Sequence, residues 1–189
     1  MINYIEEETF CKEDFSGEIF SGKEYYEVKF QNCNFSEADF SRATFEDCVF
    51  KGCNLSLVKL SGTSFRNVDF QDCKLVGSNF GGVEYFGRSF KFSKCRIQNC
   101  FFNAVKLHDL KMVSCEVFDC DFMQAKLNKG DFTYSDFRGS IFADTDLRKA
   151  NFSYAKNYKI SLLNNKTEKT KFTLPEAMDL LNAFDIIIN

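Results

Sequence analysis

Large apolar residues recur at every fifth position along most of this chain. From Phe10 to Phe90 each such position holds Phe, Leu or Tyr. After a slip of two residues the same beat runs from Phe92 to Phe152 with Phe, Leu, Ile, Met or Val. A second beat lies two residues earlier and is small: Val28, Cys33, Ala38, Ala43, Cys48, Cys53, Val58. A period of five fits neither a free helix, with about 3.6 residues per turn, nor a flat strand with a period of about 2. It therefore predicts a repeat architecture.

Two inward side chains per five-residue step can form one side of a square coil, and four steps close a turn of about twenty residues. Successive coils then stack through backbone hydrogen bonds at about 4.8 Å, the strand spacing. The expected core centres are Phe30, Phe35, Phe40, Phe45, Phe50, Leu55, Leu60, Phe65, Phe70, Leu75, Phe80, Phe102, Leu107, Phe122, Leu127, Phe132, Phe137, Phe142, Leu147 and Phe152. The small positions hold Cys33, Cys48, Cys53, Cys73, Cys95, Cys100, Cys115 and Cys120, alternating with Ala, Val, Ser and Thr. Cysteine is read there as chosen for size, and a hydroxyl at Cys53 is expected to lack a buried partner. Each coil buries its inner face only against neighbours, so stability is nearly one-dimensional. The repeat predicts about seven coils and a rod roughly 35 Å long. Outward positions are rich in Asn, Asp, Ser and Gly, residues suited to tight corners.

The ends depart from the beat. Glu8, Glu13, Glu18 and Lys23 occupy small positions, so residues 1–25 are expected as an irregular coil or cap. Residues 26–155 are the regular solenoid, with a register break at 86–91. The break is either a tolerated insertion at a corner or a recognition loop presenting Phe86 and Arg88. Residues 156–189 form a tail. Within it Thr173-Leu174-Pro175-Glu176 reads as a capping box. It opens a helix over 175–184 with an apolar face of Ala177, Leu180, Leu181 and Phe184. That helix serves as a cap, or as a cap and a dimer interface.

Composition sharpens this picture. There are 24 Phe, no Trp and one Pro. No apolar run reaches the roughly 18–20 residues needed to span a membrane, and the start lacks the pattern of a secretory signal. Cysteines spaced by five and twenty follow the repeat, which reads as a reduced, cytoplasmic protein. Charge is uneven. Residues 1–50 carry 12 acids and 4 bases, residues 51–110 carry 9 bases and 4 acids, and residues 111–189 carry 11 of each. An acidic N-terminal third disfavours direct nucleic-acid binding and favours a basic partner.

Candidate chemistry is sparse. The only histidine, His108, sits outward, and no CxxC or phosphate-binding glycine loop occurs. Histidine-rich metal sites and catalytic triads are hard to build from such a set. No cofactor and no enzymatic activity is expected. What remains is surface. Phe101, Met123 and Ile141 fall at outward positions on the face of centres 102, 122 and 142, an apolar contact patch for a protein partner. Glu116, Asp119 and Asp136 share one face, where Arg138 interrupts them, and the acids are expected to form no unbroken row.

The motif small–Asp/Asn–Leu/Phe–polar–any, as in Ala38-Asp39-Phe40-Ser41 and Ala150-Asn151-Phe152-Ser153, resembles the pentapeptide-repeat family from about residue 10 to 155. The resemblance implies an all-β fold, a right-handed quadrilateral parallel β-helix. Within the family the chain is most similar to the microcin-immunity and quinolone-resistance (Qnr-like) members that shield type II topoisomerases. This rests on length, the break near 86–91, the stretch Leu147-Arg148-Lys149-Ala150-Asn151-Phe152-Ser153 and the tail with Pro175-Glu176-Ala177. It implies a partner in DNA gyrase or topoisomerase IV, protection from quinolone or microcin poisons, and a homodimer through the C-terminal helix. The other class of function that the residues allow is a general interaction scaffold with an unrelated cytosolic partner.

Overall fold

A five-residue side is too short to carry a sheet alone, so every side finds its backbone partners in the coils before and after it. The computed structural model describes residues 4–84, 87 and 89–184; Tyr85, Phe86, Arg88 and Ile186 to Ile188 lie outside these. The described pairings between coils are parallel, most of them in register at twenty residues, as in Phe10↔Phe30 and Phe30↔Phe50. Four faces result. Tyr4–Glu6, Glu24–Tyr26, Thr44–Glu46 and Ser64–Arg66 stack on the first. The second carries the six-stranded sheet from Thr9–Cys11 to Lys111–Val113. The third and fourth are held by shorter ladders such as Asp14↔Asn34↔Asn54 and Asn79↔Phe101↔Asp121↔Ile141. The whole is a parallel β-helix of about eight turns.

The core is a set of ring columns. On the second face Phe30, Phe50 and Phe70 stack at 4.8 and 5.1 Å with planes within 18°. On the fourth, Phe80, Phe102, Phe122 and Phe142 stack at 4.6, 5.0 and 4.9 Å. Rings in neighbouring columns meet edge to face, as Phe30 and Phe35 do at 5.2 Å and 86°. Both geometries suit the aromatic quadrupole. All twenty of the expected centres are buried.

The register steps from twenty to twenty-two between Glu84, which still bonds to Thr63, and Phe90, which pairs with Val68. Phe90 occupies the small position before centre Phe92. Its ring packs within 5.6–6.5 Å of Phe65, Phe70, Phe80 and Phe92, filling the core beside the insertion. A second departure was not expected. Phe142 pairs with Ile160, an offset of eighteen, and Asp146↔Lys166 restores twenty. Tyr158 sits in the small position of that shortened side and is buried.

Three expectations about the ends change. Residues 4–25 form a complete coil rather than an irregular one. Its small positions Glu8, Glu13 and Glu18 are exposed, and an apolar cleft of about 180 Å³ lies beside them among Ile5, Phe10, Phe15 and Phe20. The ladder does not stop at 155 but runs on through Asn151↔Lys171, which raises seven coils to about eight. The tail helix is a 3₁₀ helix, Glu176–Phe184, following a cis Leu174–Pro175 peptide bond. The capping box does not form, because Thr173 Oγ1 accepts from the Tyr154 N–H at 3.2 Å. Leu180 is buried on the last coil, Ala177 and Leu181 are half-buried, and Phe184 is exposed.

Candidate functional site

The small positions carry more than size. Ala38, Ala43, Ala125, Ala150 and Ala155 each close a tight turn, donating their N–H to the carbonyl three residues before. In the cysteine column the centre carbonyl is served from the next coil instead. Cys53, Cys73 and Cys95 donate their thiols to the carbonyls of Phe30, Phe50 and Phe70 at 3.4, 3.3 and 3.3 Å. Serine and threonine do the same with oxygen: Ser135 to Met112 and Ser140 to Val117, each at 2.8 Å, and Thr145 to Phe122 at 2.9 Å. The same hydroxyls accept the N–H of Cys115 and Cys120 from the coil before. Residues read as interchangeable spacers are thus hydrogen-bonding struts between coils. All nine cysteines are free, and only Cys11 is exposed. Burial pushes the Cys48 thiol up to about 11. Hydrogen bonds to the neighbouring thiols, together with burial, raise Cys73, Cys115 and Cys120. These groups stay protonated and unreactive at neutral pH.

The outer surface carries the candidate binding residues. Phe101, Met123 and Ile141 are 47%, 40% and 52% exposed on the fourth face. Phe101 and Ile141 lie two coils apart in one column, and Asp121 sits between them, bonded to the Met123 N–H at 2.8 Å. Phe86 and Arg88 fall outside the described residues. Phe118 lies under the Arg138 guanidinium at 5.3 Å. Asp136 is compensated by Arg138 at 3.2 Å and Lys156 at 3.7 Å, and Glu116 faces Arg96 at 4.0 Å. His108 is exposed beside Asn128.

One corner carries charge in order. At the edge between the first and second faces Glu7, Glu27 and Asp47 stand in successive coils, with positive φ of 55°, 52° and 54°. The N–H of each donates to the coil above, to Tyr26, Glu46 and Arg66. Non-glycine residues enter this left-handed region only when the surroundings hold them there, so the three backbone positions are fixed in line. Glu6, Glu24 and Glu46 flank them. Tyr26 feels the crowding: a hydrogen bond to Glu27, then the charges of Glu27, Asp47 and Glu46, raise its phenol. At the other end of the same corner Lys129, Lys149 and Lys169 stand in line with φ of 64°, 62° and 63°. The acidic row corrects the expectation that the acids form none: Glu7, Glu27 and Asp47 are twenty residues apart in the chain and adjacent on the corner. The signal that could have found them is the position two after each first-face centre.

Other chemistry finds little support. Among the described residues no three His, Cys, Asp or Glu are grouped to hold a metal ion. The surface clefts are open, such as one of about 330 Å³ among Ser89, Phe90, Lys106, His108 and Asp109. No helix among the described residues is long and apolar enough to cross a membrane.

The stacked coils of twenty, with a centre and a small strut on each side, match the description "Pentapeptide repeat region" over residues 23–98 and "Pentapeptide repeats (8 copies)" over 120–156. The chain belongs to the pentapeptide-repeat family. Among solved pentapeptide-repeat structures it is similar to full-length QnrB1, a plasmid-mediated fluoroquinolone resistance protein. Identity is 22%, coverage is 97% of this chain and 90% of that one, and the TM-score is 0.59. A trypsin-treated form of QnrB1 gives 23% identity, 98% and 91% coverage, and a TM-score of 0.55. At this identity the likeness establishes the shared fold. No curated protein sequence matches the chain.

Proposed function

We propose that this protein is a non-enzymatic, cytoplasmic binding rod that engages DNA gyrase or topoisomerase IV and protects it from quinolone- or microcin-type poisons. The row Glu7, Glu27, Asp47 carries the reading. Its backbone positions repeat at about 4.8 Å along one edge, on the scale of the roughly 3.4 Å axial step between phosphates of one DNA strand. A surface shaped to take duplex DNA is basic and would accept such an edge. The likeness to QnrB1 supplies a precedent for the fold in fluoroquinolone resistance. In this reading the C-terminal helix both caps the rod and joins two copies. With Leu180 buried on its own coil, Met178 and Phe184 are the exposed side chains available for that contact.

The test is DNA supercoiling by purified gyrase, with this protein titrated in and with or without a fluoroquinolone. Restored supercoiling or fewer cleaved complexes at micromolar protein supports the reading. Glu7→Gln, Glu27→Gln and Asp47→Asn together should remove the effect. No change in either arm would sink the topoisomerase reading and leave the fold intact.

A further inference from the structure

The first face divides into halves of opposite charge. Its N-terminal half holds the carboxylate row. Beyond the insertion the same face carries two columns of lysine. One is Lys106, Lys126 and Lys166, continued through Asp146 by the ladder Lys106↔Lys126↔Asp146↔Lys166. The other is the corner row Lys129, Lys149 and Lys169. All six lysines are exposed. The columns lie three residues apart on each coil, about 10 Å of extended chain, and coils rise by about 4.8 Å. Seven bases face three acids here, Arg148 against Asp109, Asp146 and Glu168 completing the set. Asp146 is bonded by the Arg148 guanidinium at 2.9 and 2.7 Å, which holds its carboxyl below the usual range. Among the described residues Lys126, Lys129, Lys149, Lys166 and Lys169 enter no ion pair within 4.0 Å. The corner lysines also sit against backbone preference. Their positive φ suits Gly or Asn better, and Gly17, Gly52 and Gly62 fill such corners elsewhere. The turn does not call for lysine; its charge does.

We propose that this half-face binds the phosphate backbone of duplex DNA. Each lysine column covers about 10–14 Å, the length of three or four phosphate steps of roughly 3.4 Å on one strand. The separation of the columns approaches the roughly 12 Å width of the major groove, so one column lies along each phosphate wall. The chemistry of the half-face favours a duplex over other anionic partners. Residues 106–109, 126–129, 146–149 and 166–169 include no Phe, Tyr or Trp, and their three leucines are buried centres. Single strands are held by aromatic stacking, and a lipid surface takes buried apolar area as well as charge. Lysine is depleted at protein–protein interfaces and is a standard phosphate contact. With no group placed to read base edges, the contact is independent of sequence. The acidic N-terminal third, which disfavours nucleic acid, forms the other half of the face. A duplex is thus held at one end of the rod and repelled from the other. The topoisomerase reading uses the acidic half, and this proposal stands without it.

The experiment is fluorescence anisotropy of a labelled duplex of about 20 base pairs, roughly two helical turns, titrated with the full chain between about 50 and 200 mM salt. The dissociation constant should fall at about 1–100 μM, the non-specific range. The logarithm of affinity should decline against the logarithm of salt with a slope of about −3 to −5. Lys129→Gln/Lys149→Gln/Lys169→Gln should make that slope shallower by about 3 and weaken binding at least about tenfold at the lowest salt. Lys59→Gln/Lys74→Gln/Lys159→Gln removes the same charge from the third and fourth faces and should change the slope by less than about 1. All six positions are exposed, and thermal melts check the fold of each variant. Glu7→Gln/Glu27→Gln/Asp47→Asn should hold the duplex at least as tightly as the parent, whereas the topoisomerase reading has that variant lose protection, so the two readings fail separately. No binding at about 100 μM protein and about 50 mM salt overturns the proposal. So does an equal loss in the two lysine triples, which would report net charge alone, or tighter binding of a single strand of the same length. Retention by vesicles of equal phosphatidylserine and phosphatidylcholine without retention of the duplex also overturns it.

Discussion

Replacing Cys53 separates two accounts of the small column. If the position required only a small apolar group, Ala would be tolerated better than Ser, whose hydroxyl would be buried without a partner. The structure reverses that order. The Phe30 carbonyl accepts from Cys53 Sγ at 3.4 Å, and Phe30 is fully buried. That oxygen keeps the Lys51 N–H of the parallel ladder, so Cys53→Ala forfeits the thiol's bond, about 0.5–1.5 kcal/mol, and roughly one methylene-equivalent of apolar burial, about 0.8 kcal/mol. Its total cost is then about 1–2 kcal/mol. Cys53→Ser loses the sulfur's burial but keeps the bond. Ser135 and Ser140 make it at 2.8 Å in the same setting. A bond worth about 0.5–1.5 kcal/mol offsets most of the loss, so Ser costs about 0–1 kcal/mol. Equilibrium urea unfolding of both variants, followed with one probe, measures the difference. The melting temperatures should separate as well, by about 2–4 °C per kcal/mol for a chain of this size. A Ser variant as unstable as the Ala variant, or more so, would refute the strut.

Two further outcomes follow from the packing. Phe70 lies between Phe50 and Phe92, each at 5.1 Å, and Phe70→Ala should cost about 3–5 kcal/mol through the cavity it leaves; a loss below about 1 kcal/mol in denaturant titration would contradict the filled core. The Tyr158 hydroxyl is buried without a partner, so Tyr158→Phe should match or exceed the parent by about 1–2 kcal/mol. Burial, and then the charges of Glu176 and Asp179, push the Tyr158 phenol up to about 12. Because the folded value is raised, its contribution to stability is complete below the unfolded value of about 10 and is lost as pH rises toward 12. The variant should lose less stability than the parent across that window in alkaline melts.

Much of the fold was legible because one physical rule repeats. A centre such as Phe50 reads correctly from its spacing alone, since every side of the coil needs the same inward ring. What escaped were positions where a different rule won. Phe90 and Tyr158 put large rings in small positions, because the coil beside each had gained or lost two residues and left space to fill. The last coil was missed because Asn165 and Thr170 replace the usual Cys or Ala. They serve as struts to Phe142 and Leu147, a role defined by a carbonyl 23 residues away. The charged rows were hidden for the same reason: neighbours in space are twenty residues apart in the chain.

That constant separation bears on how the chain folds. Parallel sheets fold slowly when their strands must meet across long loops. Here each strand's partner is eighteen to twenty-two residues away, from Tyr4↔Glu24 to Asn151↔Lys171. Against 189 residues this is a relative contact order of about 0.1, in the range of helical bundles rather than β-sandwiches. Once two coils have met, each further coil closes only one short loop onto a template already in place. Folding can then propagate along the rod as the chain emerges during synthesis, with no distant segment required before the first coils are secure.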